Sequence, residues 1–271
     1  MNEIFEEEAS YNANDGTHVK CFMAGPKDMG AHPAVIVIQE IWGLTDFIRG
    51  VSRLLSSEGY YTIAPHLYSR KDLIDLLTEE NIVDAMRPMW SLPPEKRNDR
   101  EAIAGIMAKM NDTQRKVAKV LTSERASLEE SLFSYISDAY AFIRKKRKAT
   151  KTGIVGFCMG GGLSFQASTM IPFDATVVFY GVNPKPIEAI SKIKGEVLGI
   201  YAGEDEGING GLPELLTNVV KHKVRFQLNF YPGTHHAFFN HSAMSYHKEA
   251  AELARAQMLS FFSRTLGGEK R

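Results

Sequence analysis

Gly156-Phe157-Cys158-Met159-Gly160 sets a thiol at the centre of a G-x-C-x-G pattern, at the end of the apolar run 152–157. Small residues two before and two after a nucleophile let a strand bend sharply into a helix and hold the central residue in a strained conformation. A cysteine on such a bend stands at a helix N-terminus. The dipole there favours thiolate, and the next backbone N–H, that of Met159, can donate to an oxyanion. Two other readings compete. A lone cysteine in an α/β core is commonly a small apolar filler, although a filler does not need the surrounding glycines. A glycine-rich turn after a strand can also cradle phosphate. Gly156, Gly160, Gly161 and Gly162 fit neither phosphate spacing, and no lysine follows them.

A thiol nucleophile needs a base, and the base needs an orienting acid. In the order nucleophile, acid, histidine, the chain next supplies Glu204-Asp205-Glu206 and then His235-His236. Each group directly follows an apolar, β-branched or aromatic run, at 196–202 and 224–231. Asp205 competes with its two glutamate neighbours, and at most one of the adjacent histidines can face the thiol. His222, His241 and His247 lack a comparable setting.

The elements around these residues alternate. Pro33–Gln39 reads as a buried strand, 45–58 as a helix stopped by Gly59, and 60–64 as a strand ended by Pro65. Strands at 152–157, 174–180, 196–202 and 224–231 interleave with helices at 160–170, near 211–221 and from about 243 to 265. This pattern predicts an α/β fold with a mostly parallel sheet, helices on both faces, and loops at the strand ends forming the site. The stretch 71–148 is helical, broken near its middle by Pro88, Pro93 and Pro94. Its first part, 71–127, reads as an inserted cap or as crossover helices. The acidic N-terminus is either a strand or loose.

The 271 residues suffice for one large domain spanning 1–271. Formal charge is zero, so nothing in the balance favours nucleic acid or an anionic membrane. The basic run Arg144–Lys148 is a nucleic-acid patch or a solvated helix end, the second being the simpler reading. Cys21 and Cys158 are too few for a disulfide framework; one bridge between them is open, and a reduced cytoplasmic setting is simpler. Residues 1–10 lack an apolar core for a signal peptide, and no run reaches the ~20 residues of a membrane span. No metal-ligand spacing and no cofactor motif occurs.

Five segments, Ile38–Gly43, Ala64–Arg70, Gly156–Gly161, Gly203–Asp205 and His236–Phe238, together make the chain resemble the dienelactone hydrolase family over about residues 33–265. The resemblance implies an α/β-hydrolase fold and a cytoplasmic enzyme without cofactor that cleaves an ester or lactone. It implies a Cys158–His236–Asp205 triad and a thioester intermediate. Glu40 then interacts with the resting cysteine, and the amides of Met159 and Ile41 form the oxyanion hole. Arg70 holds a substrate carboxylate, and Tyr180 lines the site. Asn240 departs from the family, since some members carry a second carboxylate-binding arginine there. A small-molecule substrate, no nucleic acid, no membrane and a monomer or homodimer complete the expectation. A non-catalytic binding or scaffold protein of the same fold, and a thiol redox sensor, are the alternatives.

Overall fold

The computed structural model describes residues 3–28, 30–93, 96 and 99–267. The chain opens with β1 (Ile4–Asn12) and β2 (His18–Pro26), then β3 (Ala34–Ile38), α1 (Asp46–Ser57) and β4 (Tyr61–Pro65). Next come α2 (Glu79–Trp90), α3 (Arg100–Lys109), α4 (Asp112–Leu121) and α5 (Arg125–Arg147). The second half runs β5 (Thr152–Phe157), α6 (Met159–Ser168), β6 (Ala175–Phe179), a 3-10 turn (Ile187–Lys192) and β7 (Glu196–Ala202). It ends with α7 (Glu206–Asn209), α8 (Leu212–His222), β8 (Phe226–Tyr231) and α9 (Lys248–Leu266).

The strands form one sheet in the order β1-β2-β4-β3-β5-β6-β7-β8, antiparallel for β1-β2 and β2-β4 and parallel elsewhere. The period-2 alternation of each strand divides the core. Ile36 and Ile38 of β3 join the cluster under α5 and α6, while Val35 and Val37 join the one under α1 and α9. From β3 the chain winds outward to β4, and from β5 it winds the other way. The carboxyl ends of β3 and β5 therefore flank a topological switch point, where open α/β sheets hold their sites.

The N-terminus is an ordered hairpin, and β2 is a strand that the sequence pattern left unread. Its turn is closed by Ala13 N–H donating to Thr17 O (2.8 Å), with Gly16 at φ +84°. The glutamates of β1 alternate in direction. Glu6 and Glu8 pair with Arg53 and Arg49 of α1, and Glu7 pairs with Lys146 (2.7 Å) and Arg147 of α5. The basic run at 144–148 is thus a helix end facing β1, and Arg147 also lies 4.3 Å from the centre of the Phe5 ring.

Pro88 does not break its helix. It sits inside α2, where the carbonyl that would have bonded its missing N–H, that of Asp84, accepts from Gln114 Nε2 of α4 instead (3.3 Å). Pro93 follows the end of α2, and Pro94 lies outside the described residues, as does Met1. Ile82 and Met86 of α2 and Val117 and Leu121 of α4 belong to the same apolar cluster as β3 and α5. The last helix begins at Lys248 rather than near 243, because the His247 ring accepts the Ala250 N–H and caps it there.

Candidate active site

The loop after β5 is a sharp elbow. Cys158 has φ +55° and ψ −118°, outside the ordinary allowed regions, and is half-buried. Its N–H donates to Phe179 O (3.1 Å), and its carbonyl accepts from Gly161 N–H (3.0 Å) and Gly162 N–H (3.2 Å). The flanking glycines are required by closeness. A Cβ on Gly156 would stand 1.9 Å from Gly160 O, and one on Gly160 would stand 2.3 Å from Gln39 O. Met159 is the first residue of α6, so its N–H has no acceptor within the helix.

The loop after β7 carries Asp205 just before α7. Its side chain is 10 % exposed, whereas Glu204 and Glu206 face solvent. The loop after β8 carries His236, while neighbouring His235 is exposed. The two loops are tied together: Gly203 N–H donates to Tyr231 O (2.8 Å) and Glu204 N–H to Thr234 O (2.8 Å). His236 Nδ1 meets Asp205 Oδ2 at 2.5 Å. A carboxylate there accepts the Nδ1 proton and leaves Nε2 for chemistry. The Ser245 hydroxyl anchors the same loop by donating to His236 O (2.5 Å). Burial opposes the imidazolium, but hydrogen bonding to Asp205 and to Cys158, and the charges of both, lift the His236 pKa to about 10.

At the end of β3, Glu40 is 1 % exposed. Its Oε2 accepts from Asn240 Nδ2 (2.7 Å), and the Asn240 amide is fixed in turn because its Oδ1 accepts the Ser242 N–H (2.9 Å). Among the described residues the hydrogen bond of Glu40 goes to Asn240 rather than to the expected thiol. Burial raises the Glu40 pKa to about 7, against the lowering effect of Asn240 and of His236, with Glu79 adding to the rise. Gly43 N–H donates to Glu40 O (3.3 Å) and folds Ile41 into a tight turn.

Tyr68 is a residue the motif reading passed over. It is fully buried, its hydroxyl donates to Ile41 O (2.9 Å), and it touches Met159 Sδ (3.7 Å). It therefore bridges the two segments whose amides were expected to hold an oxyanion. The signal was present within Ala64–Arg70, but only as part of a motif. Tyr180, at φ +40°, packs against the His236 ring in a tilted arrangement, centroids 4.9 Å apart. Its buried hydroxyl has no hydrogen-bond partner among the described residues. Burial, then the charges of Glu40, Cys158 and Asp205, keep that phenol protonated. Arg70 is not an open anchor: Asp72 grips its guanidinium at Nε (2.6 Å) and Nη2 (3.0 Å), and Nη1 donates to Ser131 (3.4 Å). Cys21 and Cys158 are both free, and burial pushes the Cys21 thiol up to about 12. No metal-holding cluster occurs among the described residues, and none of their helices is long and apolar enough to cross a membrane.

The strand order and the elbow at the switch point make this an α/β hydrolase. More narrowly, the chain belongs to the dienelactone hydrolase family, whose sequence profile matches residues 19–266. A Saccharolobus solfataricus protein named "Putative carboxymethylenebutenolidase" is 46% identical over 259 residues, covering 96% of this chain and 98% of that one. Among solved structures, a Klebsiella pneumoniae protein titled "Putative Dienelactone Hydrolase" has TM-score 0.72 at 24% identity, covering 97% and 100% of the two chains. The Anabaena variabilis dienelactone hydrolase has TM-score 0.64 at 17% identity, covering 98% and 100%. Family membership makes the protein a hydrolase of the ester- or lactone-cleaving kind.

Proposed function

We propose that the protein hydrolyses a small-molecule carboxylic ester or lactone through a thioester on Cys158. The reading rests on the strained elbow that carries Cys158 at the switch point and on the Asp205–His236 hydrogen bond between the loops of two further strand ends. The name carried by the Saccharolobus relative favours an enol lactone.

With a proton on His236, Cys158 reacts as thiolate. Its sulfur attacks the carbonyl carbon, and the amides of Met159 and Ile41 receive the developing oxyanion. The carbon–oxygen bond then breaks, and His236 Nε2 gives its proton to the leaving oxygen. In a lactone the ring opens and the leaving group stays attached. His236, now neutral and steadied by Asp205, takes a proton from water. The hydroxide attacks the thioester, the carbon–sulfur bond breaks, and the acid departs as the thiolate–imidazolium pair returns. Glu40 stands at the end of β3, at the same sheet edge as the elbow, and is the group assigned to interact with the resting cysteine. Tyr180 packs behind His236 and lines the site.

Cys158→Ala should remove hydrolysis of 4-nitrophenyl acetate and of an enol lactone. With wild type, rapid acid quench and intact-mass measurement should show an acyl group on Cys158. Undiminished turnover in the alanine variant would sink the proposal.

A further inference from the structure

The two edges of the sheet are finished differently. At one edge β1 carries three glutamates, each paired with a cation of α1 or α5. At the other, β8 reads Phe226-Gln-Leu-Asn-Phe-Tyr231, with no charge, no proline and no bulge in its regular pairing with β7. Those are the devices that keep a free edge from pairing with another chain. The parity of its hydrogen bonds shows which groups are free. Val197 N–H donates to Arg225 O and Gly203 N–H to Tyr231 O, so the odd-numbered residues bond β7. Phe226, Leu228 and Phe230 then turn their N–H and C=O groups away from the sheet, and these groups have no partner among the described residues. By the two-residue period their side chains share the face covered by α8, where Phe226 and Leu228 pack with Leu212 and Leu215. Phe230 is 46 % exposed, and Val220 of α8 is 77 % exposed. On the opposite face Gln227 lines a cleft with Leu253 of α9, which is 61 % exposed.

The geometry points to a homodimer in which β8 pairs antiparallel with β8 of a second copy, about a two-fold axis through Leu228. That register sets every free group against its complement. Leu228 faces Leu228, Phe226 faces Phe230 on both sides of the axis, and each pair exchanges two backbone hydrogen bonds. The phenylalanines also meet as cross-strand aromatic pairs on one face. Charge agrees with this partner. The start of the edge is basic, with Lys223 and Arg225 exposed. Its end is acidic: exposed Glu204 is tied beside it by donating its N–H to Thr234 O (2.8 Å), and exposed Glu206 follows. Antiparallel pairing brings the basic end of each copy to the acidic end of the other. A six-residue ladder, roughly 20 Å long, falls short of the ~800 Å² per partner of a stable interface. Val220 and Leu253, on the helices at either face, supply further apolar area.

Sedimentation equilibrium of the full chain at about 50 µM should give twice the 30.2 kDa chain mass. Phe230→Lys, at an exposed position, should raise the dimer dissociation constant by at least about thirtyfold and leave the circular dichroism and the unfolding midpoint unchanged. In a Cys158→Ser background, Leu228→Cys should form an intermolecular disulfide on mild oxidation, because the axis sets that residue opposite itself at a Cα separation of about 5.5 Å. A wild-type chain that stays at 30.2 kDa at that concentration overturns the inference. A dimer that Phe230→Lys leaves intact overturns it too, since another surface would then hold the copies together. A dimer that yields no disulfide from Leu228→Cys sinks the two-fold register, and the inference with it.

Discussion

Tyr68 illustrates how a single hydroxyl positions backbone. By holding Ile41 O at 2.9 Å it fixes the turn that presents the Ile41 amide. Tyr68→Phe should lower kcat by roughly tenfold with KM little changed, while costing only ~1 kcal/mol of stability. Glu40 sets a pH dependence. Its folded pKa of about 7 lies above the unfolded value of 4.5, so its contribution to stability is fully present below pH 4.5 and is lost as pH rises through 7. Glu40→Gln should therefore match wild type in urea unfolding near pH 4.5 and exceed it by about 1–3 kcal/mol at pH 8. At this scale the sequence was legible wherever the signal was local. Glycine spacing around Cys158 located the elbow, and the two loops that follow strands contain the Asp205–His236 pair. The choice between His235 and His236, and between Asp205 and its glutamate neighbours, depends on which side chain turns inward, and the structure turns His236 and Asp205 toward each other. Asn240 and Glu40 are 200 residues apart, so their contact left no trace in either local pattern.

Packing between elements fixes the elbow more firmly than the conformation of any one residue does. Gly160 lets α6 approach the end of β3 until a Cβ would lie 2.3 Å from Gln39 O and 2.7 Å from Ile38 O. Gly160→Ala must push β3 and α6 apart, and should cost ~3 kcal/mol or more in urea unfolding, with activity lost in parallel. The parallel strands were readable because each is a short apolar run bounded by turn residues. β2 was missed because its burial is one-sided at the start and continuous later, a pattern that alternation alone does not single out. Pro88 misled for a different reason. A proline signals the loss of one hydrogen bond, but it cannot show that Gln114 from another helix supplies the replacement.

Across the whole molecule, the sheet is closed on one side by β1, a strand whose acidic residues point alternately to α1 and α5. Each of these surface pairs is worth less than ~1 kcal/mol alone, so Glu7→Ala should barely move the unfolding midpoint. Their joint function is to hold a charged strand over an apolar one. Removing residues 1–12 would bare the edge of β2, whose Val19, Cys21 and Met23 are fully buried. The truncated chain should aggregate in light scattering at concentrations where the full chain does not. The placement of Trp42 and Trp90 has an optical consequence. They are the only tryptophans in the chain, and they touch each other beside the turn that carries Ile41. All indole emission therefore originates at one spot next to the proposed site, so the unlabelled protein carries a fluorescent gauge of its own occupancy.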